Sequence, residues 1–189
     1  METILSLCVG VGLSAACGFR VFVPLLIMSI AAYSGHLTLA SPFQWIGSEA
    51  ALIALAVATV LEITAYYIPW VDNFLDTFAT PAAVVAGTVV TASMVTDMSP
   101  FLKWSLALIA GGGAAGMVQA TTVLARGAST ATTGGLANPV FATAELGGSI
   151  VASLLSIMAP LLTIGLVVLV LFLLGRKLLH RQPRSGASA

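Results

Sequence analysis

The stretch ILSLCVGVGLSAACGFRVFVPLLIMSIAAY, Ile4–Tyr33, decides how this chain is read. It is apolar from end to end except for one charge, Arg20. A bilayer core takes about 20 consecutive apolar residues as a helix, so this stretch is long enough to cross and too long for one upright span. Gly18, Arg20 and Pro24 fall in its middle, where a tilt, kink or break is expected. A guanidinium at the centre of a membrane helix costs about 3 kcal/mol on insertion scales. The chain must therefore offer Arg20 a partner or a wet cavity. The carboxylates on offer are Glu62, Asp72, Asp76, Asp97 and Glu145.

Composition supports the same reading. Hydrophobic residues make up 59% of the chain and charged residues 7%, against about 25% charge in a soluble domain. An integral membrane protein follows, with the lipid bilayer as its first partner. Arg176, Lys177, Arg181 and Arg184 gather in the tail, leaving Arg20, Lys103 and Arg126 as the cations of the apolar body. The positive-inside rule puts that tail in the cytoplasm. Topology alone accounts for these basic residues, so no nucleic-acid partner is expected. The apolar start has no basic residues before it, so a cleaved signal peptide is not expected. Cys8 and Cys17 share one candidate helix and cannot easily pair there, and His36 and His180 are far apart. No metal-ligand spacing, Ser-His-Asp set or HExxH pattern is present. Neither a metal, a cofactor nor an enzyme activity is expected.

Further spans are expected from Ser48 to Ile68, from Pro81 to near Asp97, from Phe101 to Leu124, and from Glu145 to Leu174 with an interruption at Pro160. Trp70 to Thr80 reads as a short interfacial turn or helix, anchored by Tyr67 and Trp70. Gly35–Gly47 and Gly127–Ala144 are polar but weakly charged. The run from Ser129 to Gly135 reads as irregular backbone dipping into the protein, which is tolerated only where protein or a cavity receives it.

The chain also repeats itself. Ser6-Leu7, Gly12 and Ala15-Ala16 match Ser105-Leu106, Gly111 and Ala114-Ala115 at an offset of 99 residues. Leu39-Ala40-Ser41-Pro42 matches Leu136-Ala137-Asn138-Pro139 at an offset of 97. An odd number of spans between the copies would invert the second, as in many transporters. This register sets Arg20 opposite Gln119.

The polar residues of the apolar body are the candidate binding groups. Glu62 and Tyr66 stand one helical turn apart, as do Asp72 and Asp76, with Asn73 between the latter. Glu62 is expected either to answer Arg20 or to couple a proton; a static pair fixing helix register is the plainer role. Thr132, Thr133 and Asn138 offer hydroxyl and amide groups to an ion or a head group, and Glu145 is expected at a helix start, favoured by the dipole. Gly111-Gly112-Gly113 with Gly116 reads as close helix packing.

At these residues the chain resembles a bacterial membrane family known only as a domain of unknown function, the 4126 family. The resemblance rests on Gly18-Phe19-Arg20 with Pro24, and on Glu62, Tyr66-Tyr67, Pro69-Trp70, Asp72-Asn73 and Asp76. It continues through Thr80-Pro81, Thr132-Thr133-Gly134-Gly135, Asn138-Pro139 and Glu145. It implies an integral membrane protein and supplies no substrate.

The expectation is thus an all-α polytopic membrane protein with about five or six spans, arranged as an inverted repeat with broken or re-entrant segments. Residues 1–175 would form a single transmembrane domain with repeat halves 1–98 and 99–175, followed by a basic tail, 176–189. The expected setting is the inner membrane, with self-association into a homo-oligomer. The expected function is transport of a small solute, ion or lipid head group past an Arg20–Glu62 site near the midplane. A scaffold whose polar residues only hold helices together is the alternative.

Overall fold

The computed structural model describes residues 2–96 and 98–180; the side chains of Glu2, Pro69, Trp70, Asp72, Asn73, Leu171, Leu174 and Lys177 to His180 are outside that description. Asp97 and the tail arginines Arg181 and Arg184 also lie outside the described residues. The elements in chain order are α1 (Glu2–Cys17), α2 (Phe22–Tyr33), a 3-10 helix (Ser41–Gly47), α3 (Glu49–Tyr66), α4 (Pro69–Met94), α5 (Pro100–Thr133), α6 (Asn138–Met158) and α7 (Pro160–His180). The described residues contain no strand.

Helix α3, the Phe74–Met94 part of α4, α5 and α6 are long and apolar enough to cross a membrane. Thr3–Cys17, Phe22–Tyr33 and Pro160–Val170 are shorter apolar helices. Val60 and Leu61 on α3 and Leu161 and Phe172 on α7 point outward, as lipid-facing residues must. The protein is an all-helical membrane protein.

The first stretch is broken where Gly18 and Arg20 interrupt it, and the chain reverses there. Helix α1 runs antiparallel to α4. Gly10 faces Thr91 and Met94, while Ser14 Oγ lies 2.6 Å from the Gly87 carbonyl oxygen and 2.8 Å from Thr91 Oγ1. Helix α2 then returns, because Ser93 Oγ donates to Met28 Sδ at 3.6 Å. At 1.5 Å per residue, α1 is about 24 Å long and α2 about 18 Å, each short of a core about 30 Å thick. The two form a hairpin whose apex, Gly18 to Val21, is packed inside the protein.

That reversal sets the direction of the first matched positions. Helix α5 also runs antiparallel to α4, with Gly116 against Val84, Gly112 against Thr88 and Gly111 against Gly87 and Thr91. Helices α1 and α5 therefore point the same way, and the matched positions Gly12/Gly111 and Ala15/Ala114 lie on parallel helices. The hairpin changes the direction in which the chain reaches α3, because α2 brings it back to the end at which α1 starts. The glycine run does pack closely: a Cβ on Gly112 would meet Thr88 Oγ1 at 2.6 Å. Ala107–Gly112 is locally π-helical.

Three other expectations change. Trp70 to Thr80 is not a separate interfacial element but part of α4, and Pro81 lies inside that helix rather than opening one. Membrane helices tolerate an internal proline because neighbouring groups can satisfy the freed carbonyl. The supposed irregular segment is helical as far as Thr133, and Asn138 already begins α6. Thr132 Oγ1 donates to the Ala128 carbonyl and Thr133 Oγ1 to that of Ser129, so these hydroxyls need no water. A tight turn joins the helices, with Gly134 at φ 65° and Gly135 at φ 87°, the left-handed region that suits a helix end without a side chain. Glu145 sits about two turns inside α6 and is not a cap. Pro160 does break the last stretch, separating α6 from α7.

Candidate functional site

The hairpin apex begins at Gly18, where a Cβ would lie 2.5 Å from the Ala115 carbonyl oxygen. Only glycine lets α1 end this close to α5. The N–H groups of Gly18, Phe19 and Arg20 close back on Ala15 and Ala16. The next donors, which open α2, have no acceptor in their own helix. Glu62 supplies it: the Val21 N–H donates to Oε1 at 2.7 Å and the Phe22 N–H to Oε2 at 3.1 Å. Pro24, in the first turn of α2, has no N–H to leave unmet. Glu62 therefore caps the second helix of the hairpin. It is not the ion-pair partner of Arg20, because its two oxygens are spent on the backbone.

Arg20 is 2% exposed. Its Nη2 donates to the Ala142 carbonyl oxygen at 3.0 Å and lies 3.5 Å from Glu145 Oε2. Its Cζ stands 3.7 Å from the centroid of the Tyr66 ring. The Arg126 guanidinium carbon lies 4.3 Å from the same centroid. Arg126 is also 2% exposed. Its Nε donates to Glu145 Oε1 at 2.9 Å, its Nη2 to Glu145 Oε2, and its Nη1 to Asp76 Oδ1 at 3.2 Å. The fork of one guanidinium thus grips both oxygens of a carboxylate, the geometry in which such pairs are strongest. Glu145 is shared between the two arginines, and Tyr66 lends its ring to both.

The structure brings together Arg20, Glu62, Tyr66, Asp76 and Glu145 from the expected set. Gln119 is buried on α5 two turns before Arg126 and takes no part in the ion pairs among the described residues. Thr132, Thr133 and Asn138 belong to the α5–α6 turn instead, where Asn138 Nδ2 donates to Thr130 Oγ1 at 3.1 Å. The side chains of Asp72 and Asn73 lie outside the described residues. Arg126 was missing from the expected set. Its signal was available, since it is one of only three cations in the apolar body. The adjoining Gly127 and hydroxyl-rich run made it look like a loop residue.

The cluster sits at one level of the bundle. Arg20 is level with Ala142, in the second turn of α6, and the apex is capped by Glu62, in the last turns of α3. It is thus close to the end of the bundle where α3 meets α4 and α5 meets α6. Two nitrogens in it, Arg20 Nε and Nη1, are buried with no hydrogen-bond partner among the described residues. Beside it, a groove of about 420 Å³ between α3 and α4 runs past Glu62 and Tyr66 and is otherwise apolar, with Leu61, Leu75 and Phe78 in its walls.

A family model described as "Domain of unknown function (DUF4126)" matches residues 7–179. No curated protein and no solved structure matches the chain.

Proposed function

This chain belongs to the DUF4126 family, which has no assigned activity, and from that premise we propose that it is a membrane transporter or channel-like protein for a small anionic solute or lipid head group. The observation that carries the proposal is the pair of unpartnered nitrogens on a guanidinium 2% exposed, Arg20 Nε and Nη1. Buried donors are paired in nearly all proteins, and leaving a charged one unmet is costly. An anionic oxygen from a carboxylate or phosphate would meet that need. It would enter by displacing the Arg20–Glu145 contact, at 3.5 Å the loosest in the cluster. Arg126 would keep hold of Glu145 meanwhile. A cytoplasmic tail would set the cluster toward the cytoplasmic leaflet, because α1 and α7 run the same way, with Gly12 against Thr163, and α7 ends on the cluster side.

The test is flux in sealed proteoliposomes, with inorganic phosphate, sulfate, chloride and a fluorescent phosphatidylglycerol as probes. Wild type should move at least one of them, and Arg20→Gln should slow it by ~10-fold or more, the equivalent of about 1.4 kcal/mol. Unchanged flux in folded Arg20→Gln would remove this mechanism.

The second reading, a non-transporting scaffold, draws on a different observation. The cluster's residues come from the hairpin, α3, α4, α5 and α6, and the groove beside it is almost wholly apolar. Such a network also serves to fix helix register. Folded wild type that moves none of the probes would favour it.

A further inference from the structure

At the opposite end of the bundle from the charge cluster, α4 ends at Met94 and α5 starts at Pro100. Trp45, Phe101 and Trp104 are exposed at this end by 62%, 83% and 48%. Exposed tryptophans such as Trp45 and Trp104 are enriched at the depth of lipid head groups. At that level a groove of about 640 Å³ is lined by Ser41, Gln44, Thr96, Lys103 and Trp104, among others. Lys103 is only 9% exposed. Its ammonium stands 5.1 Å from the Phe43 ring centroid and makes no ion pair or hydrogen bond with any described residue.

A lysine in this position is unusual on two counts. A buried ammonium ordinarily pairs with a carboxylate. Lys103 is also the fourth residue of a 34-residue helix, Pro100–Thr133, where the helix dipole is positive and favours anions over cations. The two fields add in the groove instead of cancelling. The hydroxyl and amide side chains of Ser41 and Gln44 in the same wall can donate to an oxyanion.

We propose that this groove is a binding site for a phosphate-bearing anion, held by Lys103, and that at this depth the anion is the head group of an anionic phospholipid. The site is separate from the Arg20 cluster and does not depend on the transport reading. Asp97, the acid nearest to Lys103 in sequence, lies outside the described residues, and its variant controls for a carboxylate's claim on the ammonium.

The experiment is native mass spectrometry of the full chain in detergent, titrated with phosphatidylglycerol and, separately, with inorganic phosphate read by thermal shift. Wild type should retain one phosphatidylglycerol. Lys103→Gln should weaken that binding by ~10-fold or more, Lys103→Arg should keep it, and Asp97→Asn should keep or strengthen it. Stabilisation by inorganic phosphate with no retained lipid would uphold the phosphate site and overturn the lipid as its source. Binding by Lys103→Gln equal to wild type would overturn the proposal, as would wild type and Asp97→Asn binding neither probe. Should Lys103→Gln fail to fold, the wild-type titrations and Lys103→Arg still decide the matter.

Discussion

Arg126→Met is expected to cost about 3–5 kcal/mol, the range for removing one partner of a buried ion pair. Methionine matches the arginine stem in length and keeps the apolar packing, so the change isolates the charge. It leaves Glu145, with a side chain 6% exposed, and Asp76, 14% exposed, facing each other without their shared cation. Glu145 would keep only its contact with Arg20, which at 3.5 Å is too loose to replace the fork. In a domain whose net stability is about 5–15 kcal/mol, this takes away a large share of the stability. The measurement is the monodisperse yield in detergent, followed by equilibrium unfolding in bicelles. Adding Glu145→Gln to Arg126→Met should recover part of the loss, because it removes a buried negative charge that has lost its fork. A single Arg126→Met variant as stable as wild type would show that the cluster is not holding the helices together.

Glu62→Ala should be the second most damaging change. It strips the acceptor from the Val21 and Phe22 N–H groups at the hairpin apex. Each donor left unmade away from water costs about 1–3 kcal/mol, so a total of about 2–6 kcal/mol is expected for the two. The comparison with Glu62→Gln separates two roles. A glutamine still presents one carbonyl oxygen and can hold one of the two donors, so it should retain about half of the stability lost in Glu62→Ala. Were Glu62 the counter-ion of Arg20, loss of charge alone would do the harm and the two variants would suffer alike. Hydrogen exchange offers a local check, since the Val21 and Phe22 amides should lose protection before those in the middle of α1.

The break in the first stretch was legible because glycine, a lone charge and proline interrupt an apolar run within seven residues. The reversal at that break was not legible, since a kinked span and a hairpin share one hydropathy profile. Only the contacts of Gly10 and Met28 with the same end of α4 distinguish them. The need of Arg20 for an acid was legible from the cost of burying it. The choice of acid was not, because Glu62 had an equally strong claim on it: two N–H groups at the start of a helix that composition could not locate. Arg126 and the length of α5 were hidden by hydroxyl residues. Thr121, Thr132 and Thr133 each donate to a carbonyl one turn back in their own helix. A run that looks polar in sequence is thereby self-satisfied at membrane depth. Pro81 misled in the other direction, since the helix runs through it.

The central claim is that the Arg20 guanidinium is held by the protein's own Glu145 and does not reach out to lipid phosphates. The most direct measurement is a double-mutant cycle of Arg20→Met and Glu145→Gln, with unfolding free energies determined in bicelles. The account predicts a coupling of about 1–3 kcal/mol between the two positions. Effects that add to within about 0.5 kcal/mol would contradict it, because independent sites add to that tolerance.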